Sequence, residues 1–174
     1  MKSFRQAMGH FLVIAALAVN FVPVAQAANP ATELYKGTVI RVFDGGGFTI
    51  QNALEQLRVK LFGIDVPERG QPGGVEAVAF LEDLLMGATV IIHTLRTDKY
   101  ERDVSVVVLP DGELVQEKLL QVGFARVDTE FCDIPRCEAW RAMESQAQMR
   151  RDGIWKDEDM TNLRYWRNEK LKRP

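Results

Sequence analysis

The sequence lacks internal repeats, a sustained heptad pattern and any enrichment of glycine or proline, of which its 174 residues contain 13 and 7. These absences exclude collagen-like, coiled-coil and low-complexity proteins. Hydrophobic residues make up 47% of the chain and charged residues 26%, a composition that is ordinary for globular proteins and excludes disorder. The length fits one folded domain.

Long hydrophobic runs are missing beyond the N-terminal region. There, Lys2 and Arg5 precede the apolar run 11–24, which is followed by a small-x-small ending at 25–27. This order is typical of a secretory signal peptide, and the interrupted run is too short for the alternative, a retained membrane anchor. We expect residues 1–27 to be cleaved, which leaves a periplasmic or secreted chain without a transmembrane segment.

Positive charge is scarce in most of the mature chain. Residues 28–160 contain 15 basic and 23 acidic side chains, whereas the tail 161–174 carries a net charge of +4. Tight non-specific binding of nucleic acid needs several phosphate contacts from a basic face. The acidic body therefore argues against such binding unless its positive charges are gathered in one cleft.

Patterns of β-branched and apolar residues predict five strands and three helices. The strands are expected at 37–44, 48–50, 57–64, 90–95 and 104–109, and the helices at 74–87, 114–122 and 138–151. Five short strands with a helix after the third are typical of a Greek-key barrel of the OB type, which is an α+β fold made mainly of β-structure. We expect a linker at 28–36, this domain at 37–155 and a charged C-terminal tail at 156–174.

Cysteine occurs only twice, as Cys132 and Cys137 in the exported part of the chain. Export favours a disulfide between them, because disulfides persist in oxidising compartments. The competing interpretation, a metal-binding pair, lacks a second cysteine pair or a nearby histidine to complete four ligands. We therefore predict a disulfide that holds a small loop in place.

Two carboxylates, Asp65 and Glu68, follow the predicted third strand on a loop that contains Pro67. Their spacing allows both to face one side of the sheet, where such a pair can bind a hard cation and hold a water for attack. A solvated surface turn is the alternative, because turns rich in Asp, Pro and Glu are common. The pair alone does not decide between them.

Further segments supply the context for this pair. They are, in order, VIRVFDG (39–45), LFGIDVPE (61–68), Gly74 with Glu76-Ala77, TDKYER (97–102), DGELV (111–115), GFARV (123–127) and GIW (153–155). In this order they resemble the staphylococcal nuclease, or thermonuclease, family over residues 37–155. The resemblance implies the same OB-type barrel and Ca²⁺-assisted hydrolysis of DNA and RNA phosphodiesters.

The resemblance also implies roles for individual residues. Asp65 corresponds to a metal-binding aspartate, Val66 offers a backbone carbonyl to the ion, and Asp44 matches the first aspartate of the family's Asp-Gly-Asp-Thr turn. Glu68 corresponds to the glutamate that activates water, and Arg102 to one of two arginines that stabilise the transition state. Carboxylate oxygens suit Ca²⁺, and guanidinium groups match phosphate oxygens in two-pronged geometry.

The match is broken at four positions of the same site. Gly46 stands where the family has its second metal aspartate, Gly47 replaces the following threonine, and Lys60 replaces the second arginine. Glu101 replaces a glycine before Arg102 and adds a charge that repels phosphate. Lys60 keeps the catalytic positive charge but loses the two-pronged geometry. We therefore expect Ca²⁺ binding to be weak or lost.

Two neighbouring residues are expected to contact the substrate. Tyr100 and Lys99 lie beside Arg102 in the TDKYER segment. An aromatic ring there can stack on a base, and a lysine can contact a phosphate. The alternative for Tyr100 is an ordinary exposed loop tyrosine.

Two functions remain open from the sequence. The first is a nuclease that acts on extracellular DNA or RNA, which the matching residues Asp65, Glu68 and Arg102 favour. The second is a non-catalytic accessory protein in exopolysaccharide biosynthesis, which Gly46 and Lys60 favour. Exported relatives include one encoded with the rhizobial succinoglycan biosynthesis enzymes, so its partner would be an anionic exopolysaccharide or its assembly machinery. In either case we expect a monomer.

Overall fold

The computed structural model of the protein describes residues 33–156. The predicted signal peptide and nearly all of the predicted charged tail lie outside these residues. Within residues 33–156, no helix is long and apolar enough to cross a membrane.

The described residues form seven strands, three α-helices and one short 3₁₀ helix. In chain order these are β1 (Glu33–Asp44), β2 (Gly47–Gln51), β3 (Gln56–Leu61), β4 (Ile64–Asp65), α1 (Gly74–Leu85), β5 (Thr89–Thr97), β6 (Asp103–Val108), α2 (Val115–Gln121), β7 (Arg126–Val127), α3 (Arg136–Arg150) and the 3₁₀ helix at Gly153–Lys156.

Five of the strands close a barrel in the order β1-β2-β3-β6-β5. The long strand β1 closes it by pairing through its first half with β5 and through its second half with β2. The contact between β3 and β6 is parallel, and the other pairs are antiparallel. This arrangement confirms the predicted fold class, an α+β, mainly β protein with an OB-type barrel and three helices.

The hydrophobic core fills the barrel and continues under the helices. Phe48, Ile50 and Ile92 are fully buried inside the barrel strands, as alternation along each strand requires. The helices add further fully buried side chains, namely Leu81 and Leu85 of α1, Leu119 and Leu120 of α2, and Trp140 of α3. One continuous cluster therefore holds the helices against the barrel.

The barrel begins earlier than the sequence pattern predicts. β1 starts at Glu33, inside the segment 28–36 that was expected to be a linker and before the expected domain start at residue 37. Residues 33–38 pair in antiparallel register with residues 89–94 of β5. The backbone bonds of this pairing make the segment a strand, although its side chains alternate only weakly.

The predicted third strand, 57–64, is interrupted. β3 ends at Leu61, and Ile64 and Asp65 form β4, which pairs with β7 in a separate two-stranded sheet. Between them, Gly63 has a φ of 71°, which favours glycine. Phe62, which follows β3, is fully buried. A Cβ atom at Gly63 would lie 2.8 Å from Cys132 Sγ. The turn at Gly63 therefore packs closely against Cys132 and has no room for a larger residue.

Cys132 and Cys137 form a disulfide, as predicted, with an S–S distance of 1.96 Å. Cys132 lies in the loop between β7 and α3, and Cys137 lies in the first turn of α3. Besides Cys132 Sγ, the ring of Trp140 would lie 2.9 Å from a Cβ atom at Gly63. The disulfide loop and α3 therefore pack directly on the turn that precedes Asp65.

Candidate active site

A cleft of about 350 Å³ opens where the β1–β2 turn, the end of β3, β4 with the loop after it, and the β5–β6 loop meet. All six residues predicted for catalysis or metal binding line this cleft, and so does Tyr100. The lining residues are Asp44, Gly46, Lys60, Ile64, Asp65, Val66, Glu68, Tyr100 and Arg102. Lys99 is not among them. The fold thus gathers residues that are up to 58 positions apart in the sequence, while their chemical roles stay predictions.

Strand register places the β1–β2 turn beside Lys60. Gly47 pairs with Asp44 across the turn and with Lys60 on β3. The Leu61 N–H donates a hydrogen bond of 2.8 Å to the Gly46 carbonyl. The position where the family has its second aspartate therefore lies directly next to the position where it has its second arginine.

The three glycines of this turn differ in how much space surrounds them. A Cβ atom at Gly45 would lie 2.2 Å from Val66 Cγ1, so no larger residue fits there. At Gly47 it would lie 3.3 Å from Asp44 Oδ1, whereas at Gly46 the nearest atoms are 3.8 Å away. Asp44 Oδ1 also accepts a 2.9 Å hydrogen bond from the Gly46 N–H. Gly46 is therefore the one position of the turn where a side chain enters the cleft without displacing its neighbours.

The loop after β4 fixes the backbone of Glu68. Its N–H donates to Gln71 Oε1 and its carbonyl accepts from the Gln71 N–H, both at 2.8 Å. A Cβ atom at Gly74 would lie only 1.8 Å from the Glu68 carbonyl oxygen, so the start of α1 packs against this loop. Asp65, which pairs with Arg126 in the register of β4 and β7, is 6% exposed. Strand pairing thus holds Asp65, and hydrogen bonds within the loop hold the backbone of Glu68.

Asp98 organises the β5–β6 loop around Arg102. Its Oδ1 accepts hydrogen bonds from the N–H groups of Tyr100 and Arg102, and its Oδ2 accepts from Arg102 Nε at 2.7 Å and Nη2 at 2.6 Å. Burial alone would raise the pKa of Asp98, but these bonds and the nearby positive charge outweigh it and hold the pKa below its ordinary value. The ion pair is therefore intact at neutral pH and is lost only in acid, as Asp98 becomes protonated.

Tyr100 projects from the same loop between two cations. The residue is 57% exposed. Lys99 Nζ lies 5.0 Å and Arg102 Cζ lies 5.3 Å from the centroid of its ring. Tyr100 is therefore an exposed loop residue that also borders the cleft, whereas Lys99 does not line the cleft and lies near this ring.

Glu101 occupies a backbone conformation that favours glycine, with a φ of 58°. This conformation destabilises the folded protein by about 1–2 kcal/mol when a non-glycine residue adopts it. Glycine avoids that strain, but its greater freedom in the unfolded chain offsets about 0.5–1 kcal/mol of the benefit. We expect Glu101→Gly to raise the free energy of unfolding by roughly 0.5–1 kcal/mol, measured by urea denaturation. The neighbouring Lys99→Gly, which has no positive φ to relieve, should lower it. Equal effects of the two substitutions would contradict the assignment of strain to Glu101.

The donor set of the cleft is small for Ca²⁺. Its carboxylates are those of Asp44, Asp65 and Glu68, yet no three acidic, histidine or cysteine side chains within residues 33–156 lie close enough together to hold a metal ion. Ca²⁺ takes about six to eight oxygen ligands. The residues present therefore do not fit a tight Ca²⁺ centre.

A second cavity of about 200 Å³ adjoins the first and shares Lys60 and Ile64 with it. Arg96 lies here with its Cζ 5.3 Å from the ring centroids of both Phe62 and Phe131. Neither Arg96 nor Phe131 was singled out in the sequence, since they come from different elements. Asp98 was also missed as a positioning residue, although its four-residue spacing from Arg102 is a usable signal.

Comparison with known proteins identifies the relatives of the chain. The staphylococcal nuclease homologue family model matches residues 58–157. A micrococcal nuclease of Shigella flexneri is 28% identical over 171 residues, which cover 94% of this chain and 95% of the relative. An uncharacterized endonuclease of Escherichia coli O157:H7 is 28% identical over 134 residues, or 77% and 86% of the two chains. A probable staphylococcal-like nuclease of Oryza sativa subsp. japonica is 33% identical over 116 residues, or 67% and 34%.

Proposed function

Because this chain belongs to the staphylococcal nuclease family, we propose that it is an exported endonuclease of DNA and RNA whose site has lost part of its metal-binding and charge-stabilising groups. The observation that carries the proposal is the gathering of Lys60, Asp65, Glu68 and Arg102 in one cleft. Relatives over most of the chain carry the names micrococcal nuclease and endonuclease. These names support the proposal that nucleic acid is the substrate.

The side chains of the cleft suit phosphodiester hydrolysis. Lys60 and Arg102 bring two positive charges to the place where a phosphate would sit, and Asp98 keeps the guanidinium in position. Glu68, held through its backbone, is the carboxylate we assign to the attacking water. In this scheme the water oxygen bonds to phosphorus and its proton passes to Glu68, while the bond from phosphorus to the leaving oxygen breaks and that oxygen keeps the electron pair and takes a proton from solvent.

Three residues make the proposed enzyme slow. Gly46 removes an anionic ligand, Lys60 offers a point charge instead of a two-pronged donor, and Glu101 adds a negative charge next to Arg102. Loss of one preorganised donor costs about 10²–10³ in rate in other enzymes. We therefore propose a degraded but recognisable nuclease site.

Ca²⁺ binding and DNA cleavage test this proposal together. The family is generally Ca²⁺-dependent, and the sparse donor set leads us to expect a dissociation constant in the millimolar range or weaker, measured by calorimetry. DNA cleavage should be slow, should require Ca²⁺ and should disappear in Glu68→Gln.

Two outcomes would contradict this expectation. A micromolar dissociation constant would mean that Asp44 or Glu68 has replaced the missing ligand. Cleavage that persists in Glu68→Gln would remove Glu68 from the assigned role.

The accessory role in exopolysaccharide biosynthesis is the second candidate, favoured by Gly46 and Lys60. It predicts no cleavage under any metal condition and binding of an anionic polysaccharide. Both candidates share the proposal of export to the periplasm or beyond. The Cys132–Cys137 disulfide supports that location, because such bonds persist where the surroundings are oxidising.

A further inference from the structure

A second concave surface lies on the barrel outside the cleft. It is formed by β1, β2 and β3 and encloses about 330 Å³. We call it the Arg41–Arg58 surface, and its lining residues are Ile40, Arg41, Phe43, Thr49, Gln56 and Arg58. None of these residues takes part in the proposed hydrolysis.

Sheet register builds this surface. Arg41 pairs with Thr49 across β1 and β2, and Thr49 pairs with Arg58 across β2 and β3, so the two arginines stand in one row across three strands. Their Cζ atoms lie 4.9 Å and 5.9 Å from the centroid of the Phe43 ring. Two guanidinium groups therefore share one aromatic ring.

Neither arginine is neutralised by a carboxylate within residues 33–156. The ion pairs there use other basic residues, for example Arg69 with Glu82 and Arg136 with Glu117. Arg41 and Arg58 are both exposed to solvent. In a body with more acidic than basic side chains, they form a local concentration of positive charge.

The surface begins beside the cleft. Phe43 directly precedes Asp44 on β1, and Arg58 lies two residues before Lys60 on β3; both Asp44 and Lys60 line the cleft. One to two steps along a strand correspond to roughly 3–7 Å. A chain-like ligand that occupies the cleft can therefore continue onto this surface without a gap.

We propose that the Arg41–Arg58 surface binds the single-stranded nucleic acid that flanks the segment in the cleft. Arginines bind phosphate oxygens through their planar groups, and bases stack on aromatic rings and on guanidinium planes. The Phe43 ring favours nucleic acid over an acidic polysaccharide, because sugar carboxylates pair with arginine but offer no base to stack. This binding requires neither Glu68 nor a metal ion, so it is independent of hydrolysis.

Equilibrium binding tests the proposal in the absence of cleavage. The probe is a short fluorescent oligodeoxythymidylate, followed by anisotropy over a series of salt concentrations with divalent cations chelated. Arg41→Gln with Arg58→Gln should weaken binding about tenfold or more and reduce the slope of log K against log salt by about 1.4, since each phosphate contact on a single strand contributes about 0.7. Arg141→Gln with Arg151→Gln removes the same charge from exposed positions on and after α3 and should leave the slope unchanged.

The ring is tested separately. Phe43→Leu keeps an apolar side chain but removes the stacking face, and it should weaken binding of the oligodeoxythymidylate about tenfold while leaving the salt slope intact. An abasic oligonucleotide of the same length should bind wild type and Phe43→Leu equally. Thermal denaturation of each variant checks that the barrel is folded.

Several results would overturn the proposal. They are equal weakening by the two double variants, no detectable binding by wild type, or equal competition by a carboxylated polysaccharide and by unlabelled oligonucleotide. Failure of the proposed function is distinguishable from these. If wild type binds the oligonucleotide through Arg41 and Arg58 but cleaves no DNA with Ca²⁺, the surface stands and the nuclease assignment falls.

Discussion

The double substitution Gly46→Asp and Lys60→Arg should raise the rate of Ca²⁺-dependent DNA hydrolysis by about 10²-fold or more over wild type. The aspartate adds an anionic oxygen ligand where the family has one. The arginine adds a two-pronged donor where negative charge develops on the phosphate. Glu68 and Arg102 already line the same cleft, so the two changes act on a site that is otherwise assembled.

The structure accommodates both substitutions. A Cβ atom at Gly46 would lie 3.8 Å from Val66 and 3.9 Å from Asp44 Oδ1, which is ordinary contact, and Gly46 has no positive φ. Lys60 is half-buried at the cleft, opposite Gly47. We therefore expect the free energy of unfolding to change little, which urea denaturation of the pair verifies.

Matched variants identify the source of the gain. Gly46→Asn with Lys60→Arg has nearly the same shape without the anionic ligand and should recover only part of the rate. Adding Glu68→Gln to the restored pair should abolish the gain. If wild type already cleaves DNA rapidly and the pair adds nothing, the site is not degraded. If neither protein cleaves, the accessory role is favoured.

Gly63→Ala should lower the free energy of unfolding by about 2–5 kcal/mol. The φ of 71° costs a non-glycine residue about 1–2 kcal/mol. The added methyl group would also lie 2.8 Å from Cys132 Sγ and 2.9 Å from Trp140 Cζ3, and overpacking of this kind costs about 1–3 kcal/mol. Urea denaturation under oxidising conditions measures the sum.

Gly87→Ala separates the two contributions. Gly87 has a φ of 75°, close to that of Gly63, but no atom lies within 4 Å of a Cβ built there. It should therefore show the backbone cost alone, about 1–2 kcal/mol. If Gly63→Ala and Gly87→Ala lower the free energy of unfolding equally, the close contact of Gly63 with the disulfide loop does not contribute to stability.

Local patterns predicted the barrel well because most of its strands alternate within a few residues. The break after Leu61 was not predicted because Phe62, Gly63 and Ile64 continue the apolar character of the strand. That break depends on Cys132 and Trp140, which follow about 70 residues later and occupy the space beside Gly63. No pattern local to the strand contains that information. The start of β1 was missed for a similar reason, since its partner is β5.

The candidate site was predicted in a different way. Spacing alone suggested Asp65 and Glu68 as a pair, and the structure places both in one cleft. Lys60 and Arg102 came from the family resemblance, because a lone basic residue on a strand or loop has no distinctive pattern. Neither the spacing of residues nor the family resemblance predicted Arg96 and Phe131. Their contact forms only when β5 and the disulfide loop come together in the fold.

The closure of the barrel by β1 determines when the protein can fold. Residues 38–51 form a local hairpin of β1 and β2, but residues 33–38 find their partners only at 89–94, and β3 meets β6 across more than 40 positions. Contacts between distant segments slow folding, because the intervening chain must first be confined. A chain still emerging from the ribosome leaves half of β1 as an open edge until β5 has appeared. The exposed side chain of Lys36 in that half is of the kind that discourages edge strands from pairing with other chains during this interval.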